Sequence, residues 1–317
     1  MMRRAVTIII AAVLATSGCA TSNSSDDTEG ALAHSESLTL LQLDIGTTTH
    51  EITVGSVQRS FIVTVPATVG GAFPLVFMLH GGFGSADQAQ ADYDWTELAV
   101  SEGFIAVFPD GVGRTWNAGS GCCGPAATAN IDDVTFITAL TDWITERAPI
   151  DSDRVFATGI SNGGMMAYRL ACSTDIFAAI GPVAATMLDD CESPSPLSIM
   201  HIHGLSDESV RPDGEPGTGR AVIDGPPLDE LHAEWLTIDQ CAKPAVTNRG
   251  DVTTSTASCD GGRSVDFITI ADAGHQWPGA DRKPGREKIL GTDPPSTALE
   301  ATATLWAFFE SHPRTSK

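Results

Sequence analysis

The chain has 317 residues, of which 42% are hydrophobic, and its 40 acidic against 18 basic residues give a formal net charge of −22. The apolar fraction supports a sizeable core and excludes a disordered chain. The acidic balance, with no basic patch, excludes nucleic acid and argues against direct binding to an anionic membrane surface.

Arg3-Arg4 followed by the apolar run Ala5–Thr16 reads as a secretory leader. Such a run is too short to span a bilayer, which takes about 20 residues. Ser17-Gly18-Cys19 at its end resembles the bacterial lipoprotein box, with Thr16 where that pattern prefers Leu. Cys19 is expected to carry the lipid, so that any membrane association runs through this anchor. The expected organisation is a leader over 1–19, a polar tether over 20–37 and one α/β domain over 38–317.

Within that domain, strands are expected at Ser60–Pro66, Pro74–Leu79, Phe104–Phe108, Arg154–Gly159, Ala179–Ala184, Leu197–His203 and Val265–Ile270. Helical patterns fall at Ala86–Ser101, Asp132–Arg147, Asn162–Cys172, Leu228–Gln240 and Ser296–Ser311. Alternating strands and helices argue for a mostly parallel sheet covered on both faces. Arg211–Pro227, rich in Gly and Pro, reads as a long surface loop, with a lid as the alternative.

Six cysteines remain after Cys19, and an even number in an exported chain suggests three disulfides. Cys241–Cys259 would close a local loop. Cys122 and Cys123 are adjacent, and a bridge between neighbours is strained, so each is expected to reach Cys172 or Cys191. No C-x-x-C spacing points to a metal, and none is expected.

Gly159-Ile160-Ser161-Asn162-Gly163 is a G-x-S-x-G motif between an apolar run and a helical pattern. Small residues two before and two after Ser161 allow the tight turn that presents a nucleophilic hydroxyl. A serine hydroxyl needs a base. Of the eight histidines, His34 lies in the tether, His50 before the core sheet, His232 in a helix and His312 at the C-terminus. His80 precedes the serine, and His201 and His203 share one face of a strand with no third metal ligand nearby in sequence. His275, in a loop after the last expected strand, stands where the α/β-hydrolase order Ser–acid–His puts the base. Asp207, after the turn at Gly204, is the expected acid, with Asp189 and Asp190 as alternatives. Two backbone N–H groups must face the developing oxyanion. Asn162 is expected to supply one and Gly82 the other, with Phe83 as the alternative.

These segments, together with Leu79-His80-Gly81-Gly82, Phe108-Pro109-Asp110-Gly111, Trp116-Asn117-Ala118-Gly119, Cys122-Cys123-Gly124, Asp132-Asp133-Val134, His203-Gly204-Leu205-Ser206-Asp207 and Gly274-His275-Gln276-Trp277-Pro278-Gly279, resemble the polyhydroxybutyrate depolymerase/feruloyl esterase family, in a lipoprotein-type branch. The resemblance spans roughly residues 45–310. It implies an α/β-hydrolase fold, ester hydrolysis without a cofactor by Ser161, Asp207 and His275, and an acyl site lined by Trp116 and Trp277. Asp132 reads as a helix N-cap. Polyester depolymerases of this family commonly carry a linker and a separate binding domain, and neither precedes Lys317. A feruloyl or acetyl ester of a plant-wall sugar is therefore expected at least as readily as a hydroxyalkanoate ester.

Overall fold

Ten strands join into one sheet in a computed structural model of the chain, which describes residues 41–67, 71–189, 191, 194–218, 222–285, 287 and 293–315. The strands are Gly46–Val54 (β1), Val57–Val65 (β2), Phe73–Leu79 (β3), Ile105–Pro109 (β4), Ile150–Ile160 (β5), Ala179–Val183 (β6), Ser198–Gly204 (β7), Ala245–Arg249 (β8), Val252–Ser258 (β9) and Ser264–Ile270 (β10). Their order is β1-β2-β4-β3-β5-β6-β7-β10-β9-β8. The central run from β4 to β10 is parallel, and both margins are antiparallel. The expected leader and tether, with Cys19, lie outside the described residues.

The pleat of β3 shows how the sheet divides the core. Every residue of Phe73–Leu79 is buried. Leu75, Phe77 and Leu79 join one apolar cluster with Phe136, Ile137 and Leu140 of Asp133–Thr145 (α4), with Met166 and Leu170 of Asn162–Ser173 (α5), and with Leu231 and Trp235 of Leu228–Ile238 (α6). Val76 and Met78 point the other way. They meet Ala86 and Ala89 of Ala86–Asp92 (α1), Trp95 of Trp95–Glu102 (α2), and Leu305 and Phe309 of the last helix, Ala301–Ser311. Successive side chains of a strand face opposite sides, so a near-continuous apolar run is what a doubly covered parallel sheet requires.

All seven expected strands are present, and three more flank them. Burial in β1 alternates between half-buried and exposed, and β8 is exposed throughout. Thr-rich marginal strands such as these lack the apolar signal. Two-residue turns, Gly55-Ser56 and Gly250-Asp251, join β1 to β2 and β8 to β9. The expected helix over Ala86–Ser101 is two helices, α1 and α2, broken where Asp94 takes a left-handed φ of 56°. The last helix begins at Ala301, not Ser296, because the preceding residues run against the His275 loop: Gly279 N donates to Ser296 O and Ala301 N to Pro278 O.

One of the three expected cysteine pairings is found. Cys241 and Cys259 are bridged, but Cys172 pairs with Cys191 and Cys122 with Cys123. Cys172 lies in the last turn of α5, and the loop after β6 brings Cys191 to a Cα separation of 5.2 Å, within ordinary bridging range. With both possible partners consumed, the adjacent cysteines join each other.

A buried ion pair anchors the segment that follows β4. Arg59 of β2 donates to Asp133 Oδ1 at 2.7 Å and to the Asp110 carbonyl at 3.0 Å, and its guanidinium covers the Phe136 ring. Asp133 Oδ2 accepts the Asn117 N–H at 2.8 Å. Burial raises the Asp133 pKa, and the Arg59 charge and the hydrogen bonds offset that only in part. Each partner depends on the other, since removing one leaves an uncompensated buried charge. The pair pins residues 110–117 to the sheet.

Candidate active site

Ser161 joins β5 to α5 with φ 55° and ψ −123°, a conformation residues with side chains rarely adopt. The strained turn lifts its hydroxyl clear of the sheet edge. Two glycines permit the turn. A Cβ on Gly159 would lie 2.7 Å from the Leu79 carbonyl oxygen, and one on Gly163 would fall on that oxygen and 2.6 Å from that of His80. The turn therefore presses against the end of β3, where the Gly-rich loop starts.

Loops after β7 and β10 close on Ser161 from the other side. A Cβ on Gly204 would strike the Ala273 carbonyl, so these loops meet backbone to backbone. Leu205 N donates to Ile270 O and Ser206 N to Ala273 O, both at 2.9 Å. Asp207 Oδ2 then lies 2.7 Å from His275 Nδ1, and His275 Nε2 lies 2.8 Å from Ser161 Oγ. A carboxylate only accepts, so Nδ1 carries the proton and Nε2 faces the serine hydroxyl as an acceptor.

Asp207 is 2% exposed. Burial alone would raise its pKa. The hydrogen bond from His275, the His275 and His203 rings and the Val210 amide outweigh burial and hold the carboxyl below its ordinary value. Its Oδ1 accepts the N–H groups of Ser209 and Val210 at 2.8 and 2.9 Å. The alternative acid Asp189 is engaged elsewhere, accepting from Ser120 N at 2.7 Å and lying 3.8 Å from Arg169. Asp190 lies outside the described residues.

Gly82 lies beside Asn162: a Cβ on Gly82 would be 3.9 Å from that of Asn162. Phe83 is removed as the alternative donor because its N–H bonds the Arg114 carbonyl at 2.8 Å. The loop over Gly81–Gly84 is strapped down by residues 110–117. The Arg114 Nε donates to Gly84 O, the Trp116 Nε1 to His80 O, and Gly111 N to His80 Nε2. His80 Nδ1 in turn donates to Gly81 O at 2.8 Å. Burial lowers the His80 pKa, which suits a neutral ring with one donor and one acceptor. The Asn162 side chain clamps the strap, accepting from Trp116 N at 2.7 Å and donating to Trp116 O at 3.0 Å.

The two tryptophans expected to line the acyl site do not do so. Trp116 is 0% and Trp277 1% exposed. Trp116 packs on His80 behind the loop, and Trp277 bonds Thr302 and packs, tilted, on Tyr93 beneath the His275 loop. Both are packing aromatics that support the site from behind, because each indole N–H already has a buried partner. Asp132 is the N-cap of α4, accepting from Thr135 N at 2.9 Å. Residues 211–218 and 222–227 form a surface loop tied back by Leu228 N to Pro212 O and Thr218 N to Glu208 O.

Two supports that the sequence did not reveal act on backbone. Asp293 accepts the His275 N–H at 2.8 Å, and its carboxylate fills the space a Cβ on Gly274 would need. The Arg114–Trp116 strap acts the same way on the Gly-rich loop. A glycine loop needs something to hold it, but its sequence does not say which distant segment does so.

A largely parallel sheet with a strained serine turn and with acid and histidine on the loops of later strands defines the α/β-hydrolase class. The chain shares this fold with acetyl xylan esterase from Aspergillus awamori, at TM-score 0.55 and 15% identity, over 76% of this chain and 97% of that one. The profile of the X-Pro dipeptidyl-peptidase (S15) family matches residues 60–194. Feruloyl esterase B of Piromyces equi is 30% identical over 236 residues, 68% of this chain, and the match spans 42% of that enzyme's length. The putative esterase NocK of Nocardia uniformis subsp. tsuyamanensis is 30% identical over 277 residues, covering 78% of each chain. The chain belongs to the feruloyl esterase-type α/β-hydrolases, a family of carboxylic-ester hydrolases.

Proposed function

We propose that this chain is an extracytoplasmic serine esterase that cleaves feruloyl esters of plant-wall sugars through an acyl-enzyme on Ser161. The observation that carries the reading is the unbroken line from Asp207 Oδ2 to His275 Nδ1 and from His275 Nε2 to Ser161 Oγ. In the reaction, Ser161 Oγ attacks the ester carbonyl while His275 Nε2 takes its proton. The oxyanion accepts from the Gly82 and Asn162 N–H groups. His275 then returns the proton to the leaving sugar oxygen, and the acyl group stays on Ser161. Water, deprotonated by His275, attacks the acyl-enzyme and releases the acid. Asp207 holds the imidazole tautomer and its charge throughout.

An aromatic acyl group is favoured by the rim. Phe83, 51% exposed, follows Gly82, and Leu205, 49% exposed, stands two residues before Asp207. Both offer apolar surface on the loops that carry the reacting groups, and a ferulate ring gains more from such surface than an acetyl group. Methyl ferulate, an acetylated xylo-oligosaccharide and a 3-hydroxybutyrate oligomer, assayed side by side, test the substrate. The expected order of kcat/KM has the feruloyl ester first; a preference for either of the others would refute the aromatic assignment.

Three bridged cysteine pairs support an oxidising compartment. In this reading a lipid on Cys19 holds the enzyme at the cell surface by a tether through residue 37. Two or more acyl chains make a stable anchor, at roughly 0.8 kcal/mol per buried methylene. Wild-type protein expressed in a bacterial host is expected in the detergent phase, and Cys19→Ser in the aqueous phase. Equal aqueous partitioning of both would leave the export signal without its anchor.

A further inference from the structure

His201 and His203, which alternate along β7, are not idle core residues. Both are buried, as is Tyr168 of α5, and the three form one hydrogen-bonded line. Tyr168 Oη lies 2.8 Å from His201 Nδ1, His201 Nε2 lies 2.9 Å from His203 Nδ1, and His203 Nε2 lies 2.9 Å from the Val210 carbonyl. His203 Nε2 is also 3.5 Å from Asp207 Oδ2, the oxygen that holds His275.

The acceptor at the end sets every proton in the line. Val210 O can only accept, so His203 carries its proton on Nε2 and, as a neutral ring, accepts at Nδ1. His201 must then donate from Nε2 and accept at Nδ1, where the Tyr168 hydroxyl donates. A proton on Nδ1 of His203 would face the N–H of His201. Burial agrees, holding His201 well below and His203 below the ordinary histidine pKa.

We propose that Tyr168, His201 and His203 are positioning residues for the candidate acid: they fix His203 as an N–H donor beneath the Asp207–Val210 loop, and so hold Asp207 against His275. The geometry gives the donor two tasks. It satisfies the Val210 carbonyl, whose own amide bonds Asp207 Oδ1, and it presents an N–H edge to Oδ2. Were His203 to adopt the other tautomer, its Nε2 lone pair would face both oxygens, and the loop would be pushed off its place. Tyr168 thus acts on the acid through two rings without touching it. A polar network in a low-dielectric core is unforgiving of one misplaced proton.

The inference rests on the serine esterase reading, which covalent labelling of Ser161 by a fluorophosphonate tests separately. The amide nitrogen of Gln can occupy the place of imidazole Nε2, whereas Asn reaches only that of Nδ1. His203→Asn is therefore expected to lower kcat about tenfold or more with KM unchanged, the scale of a lost buried hydrogen bond. His203→Gln is expected to restore most of that loss. The downfield proton resonance of the His275 Nδ1–H···Asp207 bond should weaken or move in the Asn variant and return in the Gln variant. Tyr168→Phe keeps the ring packing and is expected to lower kcat several-fold with the same change in resonance, by loss of one buried hydrogen bond. Equal losses in the Asn and Gln variants, a loss carried by KM, or an unmoved resonance would overturn the proposal. If His203→Asn does not fold, a folded Tyr168→Phe with wild-type kcat and resonance overturns it alone.

Discussion

Ser161→Ala is expected to abolish fluorophosphonate labelling and to cut ester turnover by about 10⁶-fold, the collective share of such a catalytic set. The reason is chemical. Without Oγ no acyl-enzyme forms, and His275 Nε2 loses the group 2.8 Å away whose proton it would take. The fold should persist, because Ser161 is held by backbone: its N–H donates to Val183 O and its carbonyl accepts from Met165 N. Some rate above water should remain, since the Gly82 and Asn162 amides would still polarise a bound ester. Stopped-flow turnover and active-site titration of the folded variant measure the effect. Undiminished labelling of the Ala variant would move the nucleophile elsewhere.

Asp207→Asn is expected to lower kcat by about 10⁴-fold with little change in KM. The carboxylate accepts three hydrogen bonds, and its Oδ2 fixes the His275 proton on Nδ1. An amide presents either an N–H or a carbonyl at that position. The N–H would make His275 accept at Nδ1, which puts its proton on Nε2 and takes the base away from Ser161. The two donors to Oδ1, Ser209 N and Val210 N, favour the amide oxygen there and so favour this inactive arrangement. Burial sharpens the loss, because no water is at hand to compensate. Steady-state kinetics of Asp207→Asn beside Asp189→Asn decides the matter. A damaging change at Asp189 and a harmless one at Asp207 would reassign the acid.

The local parts of this site were legible in sequence for a local reason. Gly159 and Gly163 flank Ser161 because the turn itself leaves no room for a Cβ, and that need appears wherever such a turn is built. Asp207 and His275 were found by chain order after strands whose apolar runs were unmistakable, and the structure brings both to Ser161. Cys241 and Cys259 pair across a short loop, so proximity in sequence was a fair guide. Cys172 and Cys191 lie almost as near in sequence, 19 residues apart against 18, and their pairing was missed because a bridge between the adjacent Cys122 and Cys123 was discounted.

Trp116 and Trp277 mark the other boundary. A tryptophan beside a reactive histidine or an oxyanion loop reads as a substrate contact, yet both indoles point inward to bonds with His80 and Thr302. Side-chain direction on a loop is set by what lies beneath it, and no periodicity reports that. Asp293, Arg114 and Asn162 act through the backbone of segments remote in sequence, so their residue types carry no local pattern. The sequence of this protein determined the seven inner strands of its sheet, its serine turn and the order of its reacting groups, because strand periodicity and tight-turn sterics are local. Only the tertiary structure decided what holds the loops that carry those groups: the strap over the Gly-rich loop and Asp293 under the His275 loop. Each of these is a hydrogen bond between distant segments, and its donor and acceptor meet only when the sheet has brought its loops together.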